Sequence, residues 1–365
     1  MIRLTVDADY DFHIEKSFAS KIVDINHFDS KDSSNVAIKS TNGNLKTLIS
    51  SFGEILIKDE TADFEINEVL LFYKDAKKIR RFFRPRANAN AILLTEQCDQ
   101  RCIMCSQPPK NKRYDDFPLF SDAILLCPNN AVLTITGGEP TLLINDLLNF
   151  LVFANQKRPD IFFHILSNGQ HFTNEHLHQL SIICDSVLWG IPLYSHDPKE
   201  HDDIVSKDGA YVRLFESFKI LLKAASRVEL RTVLMRQNIK SLVKLSELIN
   251  YELPWIEIWA LMQMEYIGYA KMNWGKIFYD NSDDFSFLEN SIIYALSNKI
   301  NLYLYNFPLC TVPKKFRFIT KPSISDWKKK FIEKCNGCEK TNECAGFFEW
   351  HKNEIGYKNI GKEYL

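Results

Sequence analysis

Residues 98–105 read CDQRCIMC and follow directly on the apolar run AILL at residues 91–94. The apolar run predicts a strand, so Cys98, Cys102 and Cys105 stand where that strand ends and can point at one spot. A closed structural zinc site takes four protein ligands, and so does a simple electron-transfer cluster. Three local thiols leave one iron of a four-iron cluster without a protein ligand, which opens that iron to a substrate or cosubstrate.

From residue 88 onward, strand patterns alternate with helix patterns. Repeated units of this length predict a parallel sheet with helical crossovers. Six such units are too few for a complete eight-unit barrel, so they fit either a partial barrel or an open doubly wound sheet. The predicted strands lie at residues 91–95, 131–136, 161–166, 186–192, 228–235 and 255–261, and the predicted helices at residues 117–126, 142–154, 173–183, 211–225 and 241–251.

Short polar motifs follow each of the first five predicted strands. Ligands gather at the carboxyl ends of the strands in parallel α/β folds, so these motifs are expected to surround one site. Gly137 and Gly138 let the backbone approach a ligand closely, and Glu139 adds a carboxylate that accepts a hydrogen bond from an ammonium group. After the cysteines, the motifs are TGGEP at 136–140, SNG at 167–169, YS at 194–195 and RQN at 236–238.

Three further residues are candidates at the same edge of the sheet. Ser167 and Asn168 carry polar groups suited to a ribose or a carboxylate, although turns and caps use the same residue types. Arg231 lies within the fifth predicted strand, where it is suited either to a bidentate contact with a carboxylate or to a surface or interstrand contact. For residues 136–140, the alternative is an ordinary βα turn.

Together these motifs resemble the radical SAM superfamily over about residues 88–270. The resemblance implies an α/β fold with a partial (β/α)6 TIM barrel, and a [4Fe-4S] cluster on Cys98, Cys102 and Cys105. It also implies that S-adenosylmethionine chelates the fourth iron and is cleaved to a 5′-deoxyadenosyl radical. Met104 occupies a position that is commonly aromatic in this superfamily. The residues expected to bind S-adenosylmethionine are Gly137, Gly138, Glu139, Pro140, Ser167, Asn168 and Arg231.

A narrower resemblance comes from CDQRCIMCSQPP at residues 98–109 together with MQMEYIGYA at residues 262–270. These stretches are similar to the His-Xaa-Ser system radical SAM maturases, in particular the C-type member. The resemblance implies an enzyme that modifies a ribosomally synthesised precursor peptide, with a second radical SAM maturase as a hetero-partner. An electron donor such as a flavodoxin or a ferredoxin is also expected.

The remaining clustered cysteines lie near the end of the chain. Cys310, Cys335, Cys338 and Cys344 resemble the auxiliary-cluster region, of the twitch or SPASM type, that follows the barrel in many peptide-modifying members. They supply four thiolates, enough for a second [4Fe-4S] cluster, and a zinc site with four cysteine ligands is the alternative. The expected organisation is a small, mainly β domain at 1–87 for peptide or partner binding, the barrel at 88–274 and an auxiliary-cluster region at 275–365. Within the last region, residues 285–298 are expected to form a helix and residues 301–305 a strand.

Composition and charge limit the location and the partners. The 365 residues carry a net charge of -1, which predicts no overall attraction to nucleic acid or to an anionic membrane. No apolar run approaches the roughly 18 residues that span a bilayer, and acidic residues occupy the place of a signal-peptide core. The nine cysteines, an odd number without a secretion signal, favour metal binding over disulfides. A cytoplasmic protein is expected.

One basic segment is compatible with a different class of substrate. Residues 77–86 combine lysines and arginines with two phenylalanines, a pattern that suits either an RNA contact or a solvated strand. The alternatives are therefore a radical SAM enzyme that acts on a small metabolite or an RNA base, and a cluster-bearing, non-catalytic partner subunit of a second radical SAM enzyme.

Overall fold

The computed structural model describes residues 5–9, 16–42, 45–58, 63–74, 78–361 and 364. The chain divides into two units. The first contains residues 1–94, 114–135 and 145–164, and the second contains residues 95–113, 136–144 and 165–365. Every candidate site residue named above lies in the second unit, so the site belongs to one unit.

The first unit begins with a closed β-barrel. Its strands are β1 (Thr5–Asp9), β2 (Phe18–Val23), β3 (Asn35–Asn42), β4 (Leu45–Ser50), β5 (Gly53–Ile57), β6 (Val69–Phe72) and β7 (Lys78–Phe83), joined in the order β1-β5-β4-β3-β2-β6-β7. Side chains alternate along β5, where Ile55 and Ile57 are buried while Glu54 and Leu56 are exposed. This two-residue period is what a half-buried strand requires, and closure of the barrel leaves no free strand edge.

Of the four arginines of the basic segment, Arg80 and Arg81 lie in β7, whereas Arg84 and Arg86 follow it and Arg86 is exposed. Arg81 lies in β7 with its Nε 2.9 Å from Oε1 of Glu68, and both side chains are almost completely buried. Arg84 is also buried. Buried guanidinium groups do not reach phosphates, which weakens the case for an RNA contact; Lys77 lies outside the described residues.

The buried Arg81–Glu68 pair is expected to control the stability of the barrel. Removing one partner of a buried ion pair leaves an uncompensated charge, so we expect Arg81→Met to lower the free energy of unfolding by about 3–5 kcal/mol. The exposed Lys39–Glu54 pair of the same barrel provides the control. Lys39→Met should cost only about 0–1 kcal/mol, because water already screens that pair. Urea unfolding measures both, and equal losses would contradict the prediction.

The same pair also predicts a pH dependence. Burial raises the pKa of the Glu68 carboxyl from 4.5 to about 7, although the Arg81 guanidinium lowers it. The folded barrel therefore binds this proton more tightly than the unfolded chain does. The resulting contribution to stability is complete below pH 4.5 and is lost as the pH rises through about 7. Glu68→Gln should remove this loss, and unfolding at about pH 5 and about pH 8 tests it.

The main sheet contains eight strands in chain order. They are β8 (Ala91–Thr95), β9 (Val132–Gly137), β10 (Phe162–Leu166), β11 (Val187–Pro192), β12 (Arg227–Val233), β13 (Ile258–Met262), β14 (Leu302–Tyr305) and β15 (Thr320–Lys321). Neighbouring strands from β11 to β15 pair in parallel. The strand order never reverses, whereas a doubly wound sheet has a point of reversal. Of the two arrangements left open by the sequence, the strand order therefore fits the partial barrel.

Helices connect or follow these strands. In the described part of the chain they are α1 (Phe117–Leu126), α2 (Ile144–Lys157), α3 (Leu177–Ile182), α4 (Pro198–Val205), α5 (Ala210–Lys223), α6 (Leu242–Glu252), α7 (Gly268–Ile277) and α8 (Ser286–Ser297). Two short strands, β16 (Lys329–Lys330) and β17 (Phe347–Phe348), pair antiparallel. None of the helices within the described ranges is both long and apolar enough to cross a membrane.

The structure contains elements that the sequence patterns did not predict. The sheet has eight strands rather than six, because it also contains β15 and β14, and β14 is the strand that was predicted at residues 301–305. β15 has two residues, too few for a hydrophobic period to reveal it. The helices α4 and α7 were also missed. For α4 the start signals were present, because Pro198 lies in its first turn and the Asp197 carboxylate accepts from the Glu200 N–H at 2.8 Å.

Candidate active site

The cysteine loop follows β8 and is held by main-chain hydrogen bonds. The N–H groups of Arg101 and Ile103 donate to the carbonyls of Val205 and Ile204, at 3.1 and 2.9 Å. Those carbonyls belong to the last turn of α4, where helix carbonyls have no partner within the helix. The loop therefore completes the end of α4, and α4 in turn fixes the position of the loop.

The thiols of Cys98, Cys102 and Cys105 lie within electrostatic range of one another. Burial raises the pKa of all three, to about 12 for Cys98. The charges of neighbouring cysteines raise the pKa of Cys98 and Cys102 further. Thiols in this environment stay protonated in the metal-free protein, whereas coordination to a metal deprotonates a thiol outright.

A buried amide lies beside these thiols. Gln100 is 2% exposed, and its Nε2 has no hydrogen-bond partner among the residues that the structure describes. Its Oε1 accepts from the Cys102 thiol at 3.5 Å, and its main-chain N–H donates to the Cys98 sulfur at 3.4 Å. No three His, Cys, Asp or Glu side chains within the described ranges are positioned to hold a single metal ion. An unused donor on a residue that contacts two of the three sulfurs fits a group whose sulfur atoms accept hydrogen bonds, as an iron–sulfur cluster does.

Two glycines pack against the two ends of the cysteine loop. A Cβ on Gly138 would lie 2.1 Å from the carbonyl oxygen of Gln97, the residue before Cys98. A Cβ on Gly268, whose φ is +60°, would lie 2.5 Å from the carbonyl oxygen of Cys105. Both neighbours are backbone atoms, which have little freedom to move aside. Only glycine fits at either position, and the chain therefore encloses the loop from both ends.

Glu139 ties the turn after β9 to the turn after β10. Its carboxylate is fully buried and accepts from the Thr141 N–H and the Ser167 hydroxyl, each at 2.8 Å. It also accepts from the Thr141 hydroxyl and the Asn168 N–H. Three of these donors reach Oε1, whereas only the Asn168 N–H reaches Oε2, so Oε2 keeps an acceptor position. A contact between Glu139 and an ammonium group therefore stays a prediction.

Asp99, inside the cysteine motif, joins the loop to two other parts of the site. Its carboxylate accepts from Asn168 Nδ2 at 2.7 Å, lies 3.2 Å from His171 Nε2 and pairs with Lys207. His171 Nδ1 lies 2.7 Å from the Thr141 hydroxyl, which connects this group to the Glu139 turn. Burial raises the pKa of Asp99, but His171 and Lys207 outweigh it and hold the pKa well below its usual range. No role was predicted for Asp99 or Lys207 from the sequence; only the position of Asp99 between two cysteines was a signal.

Arg231 is paired within its own strand. Its Nη1 lies 2.5 Å from Oε1 of Glu229 in β12, and the Glu229 side chain is buried. Tyr194, just after β11, is buried as well. Burial raises the pKa of its hydroxyl well above the usual value, and the charges of the three cysteines raise it further while Arg231 lowers it. Tyr194 therefore lies within electrostatic range of both the cysteine loop and Arg231.

The four late cysteines line one cavity. Cys310 follows β14, and burial raises the pKa of its thiol to about 11, with smaller contributions from the charges of Cys344 and Cys335. The Cys344 sulfur accepts from the N–H groups of Leu309 and Gly346, each at 3.3 Å. The structure thus brings together four thiols that are up to 34 positions apart (310 to 344) in the sequence.

One hydrophobic cluster contacts cysteines of both sets. Its buried members include Met104, Tyr194, Met264, Trp274, Phe278, Phe347 and Tyr357, and both Cys102 and Cys310 pack against it. The rings of Trp274 and Phe278 stack with their centroids 4.2 Å apart. Trp274 is therefore a core residue in this structure, and Met104 reaches the cluster from the cysteine loop.

Residues 92–249 match the family model of the Radical SAM superfamily. The matched range contains the cysteine loop and the turns after β9 and β10, but it ends before the late cysteines. It covers less than half of the chain. A search of curated proteins gives no match. Over residues 92–249 the chain is similar to the Radical SAM superfamily, and this similarity supports an enzyme.

Solved structures are similar to parts of the chain. SuiB of Streptococcus suis bound to S-adenosylmethionine is 18% identical, with a TM-score of 0.49 over 59% of this chain and 49% of that chain. SuiB bound to its precursor peptide SuiA is also 18% identical, with a TM-score of 0.48 over 59% and 48% of the two chains. The protein anSMEcpe with bound AdoMet and the Cp18Cys peptide is 13% identical, with a TM-score of 0.44 over 58% and 62%. The matched part thus spans about half of the SuiB chain.

Proposed function

We propose that this chain is a radical SAM enzyme in which Cys98, Cys102 and Cys105 hold a [4Fe-4S] cluster. One observation carries the proposal: the loop that holds these thiols contacts the turns at 137–140 and 167–169. The contacts are the packing of Gly138 against the loop and the Asp99–Asn168 hydrogen bond. When bound, the cluster and S-adenosylmethionine supply one-electron cleavage of the sulfonium to give a 5′-deoxyadenosyl radical.

The residues of this chain orient the cosubstrate and exclude water. Gly137 and Gly138 offer main-chain groups to its amino acid end, while Glu139 acts indirectly by holding Ser167 and Asn168. Beyond its contact with Glu229, the guanidinium of Arg231 offers further donors to a carboxylate. The residues proposed to position S-adenosylmethionine are Gly137, Gly138, Glu139, Pro140, Ser167, Asn168 and Arg231.

The proposed substrate is a ribosomally synthesised peptide, as in the His-Xaa-Ser system maturases of the C type. The two stretches that carry this resemblance contact each other at the end of the cysteine loop. The Tyr269 N–H donates to the Cys105 carbonyl at 2.8 Å. Just beyond the second stretch, Asn273 Nδ2 donates to the Ile103 carbonyl at 2.8 Å. Because Gly268 also packs there, a change in either stretch affects the other, which supports treating them as one motif.

The proposal extends to partners and to the remaining parts of the chain. Residues 1–87 bind the peptide or a partner, residues 88–274 form the barrel and residues 275–365 carry an auxiliary cluster. A second radical SAM maturase is the proposed hetero-partner, and a flavodoxin or ferredoxin is the electron donor. The proposed location is the cytoplasm.

Co-expression with small peptides encoded beside this chain tests the proposed substrate. Mass analysis of the peptide should show a loss of about two mass units, because hydrogen abstraction leads to a cross-link or a dehydrogenation. The control is the same peptide co-expressed with Cys98→Ala. An unchanged peptide beside an enzyme that forms 5′-deoxyadenosine would reject the peptide and favour a small metabolite or an RNA base.

A second iron–sulfur cluster is proposed on Cys310, Cys335, Cys338 and Cys344, with zinc as the alternative. The observation that supports a metal group is that the four thiols line one cavity. In this structure no three of them are positioned around a single ion, as a zinc site requires. We expect anaerobically prepared protein to contain about eight irons per chain on two four-iron clusters. Cys338→Ala should lower this to about four irons, and Cys184→Ala, at a cysteine outside both sets, should leave it unchanged. About four irons with about one zinc in the unsubstituted protein would identify a zinc site instead.

A further inference from the structure

Gln100 is in contact with two of the three thiols that the proposed function assigns to the cluster. Its main-chain N–H donates to the Cys98 sulfur at 3.4 Å, and its side-chain Oε1 accepts from the Cys102 thiol at 3.5 Å. The side chain is 2% exposed, so it is a polar group kept out of water. A buried amide costs stability unless its hydrogen bonds are made, which makes its remaining contacts informative.

The nitrogen atom of the Gln100 side-chain amide, Nε2, makes no hydrogen bond to the described part of the chain. The protonated Cys102 thiol offers a donor to this side chain and so occupies Oε1. A metal-bound cysteine is a thiolate, and a thiolate is only an acceptor. Cluster binding therefore changes the Cys102 sulfur from a hydrogen-bond donor to an acceptor. The neighbouring side chain must then supply a donor instead of an acceptor.

A half-turn of the amide meets this requirement without moving the rest of the side chain. The oxygen and nitrogen of a glutamine amide have nearly the same size, and only the hydrogen-bond network decides between the two orientations. Beside a thiolate, Oε1 is repelled. The half-turn brings Nε2 to the position now held by Oε1, 3.5 Å from the Cys102 sulfur.

We propose that Gln100 is a positioning residue whose amide donates a hydrogen bond to the Cys102 thiolate of the cluster and thereby raises the reduction potential of that cluster. This inference rests on the proposed function. Reduction adds one negative charge to the cluster, and a donor aimed at a ligand sulfur stabilises the more negative state. Without the donor, the cluster is harder to reduce.

The midpoint potential of the [4Fe-4S]2+/1+ couple tests the inference. It is measured in the reconstituted full-length protein by electron paramagnetic resonance, without S-adenosylmethionine. Gln100→Met keeps the length of the side chain but removes the amide, and its potential should shift to more negative values. Gln97→Met is the matched control, because the Gln97 amide donates instead to Asn111 at 2.5 Å, and its potential should stay at the wild-type value. An unchanged potential in Gln100→Met at wild-type iron content overturns the inference.

A second measurement uses wild-type protein, in case Gln100→Met loses its iron. Glutamine labelled with ¹⁵N in the side-chain amide is incorporated, and the reduced cluster is examined by pulsed electron paramagnetic resonance. A ¹⁵N coupling to the cluster is expected, and its absence overturns the inference. A wild-type protein that takes up no iron would overturn the proposed function as well, whereas normal iron without this coupling rejects the role of Gln100 alone.

Discussion

Cys98→Ala should reduce the formation of 5′-deoxyadenosine to background. In the proposed site three thiols hold the cluster, and no fourth protein ligand replaces one that is lost. Cys98 is also the thiol nearest in sequence to β8, and its sulfur accepts from the Gln100 N–H at 3.4 Å. Its removal therefore takes away the ligand that lies closest to the strand. The measurement is chromatographic analysis of 5′-deoxyadenosine after anaerobic incubation with S-adenosylmethionine and a reductant.

The control for this variant is Cys184→Ala. Cys184 belongs to neither set of clustered cysteines, so its replacement should leave product formation unchanged. Iron analysis of Cys98→Ala should show about four irons fewer per chain, if both sites hold four-iron clusters. Undiminished 5′-deoxyadenosine in Cys98→Ala would refute the cluster assignment. Absence of product in the wild-type protein alone, with product restored by a second radical SAM protein, would favour a role as partner subunit.

Gly138→Ala is expected to be nearly as damaging, although no chemical group is lost. The new Cβ would stand 2.1 Å from the Gln97 oxygen and 2.5 Å from the Gln97 carbonyl carbon. The Gly138 N–H donates to the Thr95 carbonyl at 2.7 Å, so the two segments have no room to separate without breaking this contact. Cys98 is the next residue after Gln97, and it must shift with the loop. We expect loss of cluster iron and of 5′-deoxyadenosine formation together.

Two other glycines provide a second test and a control. Gly268→Ala acts at the opposite end of the loop, through the Cys105 carbonyl oxygen, and should give the same two losses. Gly275→Ala lies in α7, where a Cβ meets nothing within 4 Å. There the change should stabilise the helix by about 0.5–1 kcal/mol and leave iron content unchanged. Normal iron in Gly138→Ala would mean that the loop tolerates the shift and that the close packing has no functional role.

The local patterns of the sequence determined much of this protein. The strand before Cys98, the alternation of strands and helices, and the position of a polar turn after each strand all follow from the order of neighbouring residues. Strands β8 to β13 lie within a few residues of their predicted bounds. The grouping of polar turns at one edge also followed, because parallel strands present their carboxyl ends together.

The tertiary structure alone decided how these parts meet. Strand order separated a sequential sheet from a doubly wound one, and no local pattern distinguishes the two. Asp99 meets His171 and Lys207 across 72 and 108 positions of sequence, and neither partner has a spacing that marks it. Glu139 shows the same limit, since its residue type indicated an acceptor, but only the tertiary structure shows that Thr141, Ser167 and Asn168 donate to it. Residue identity sets what a group can do, whereas distant contacts decide which of those interactions remain available.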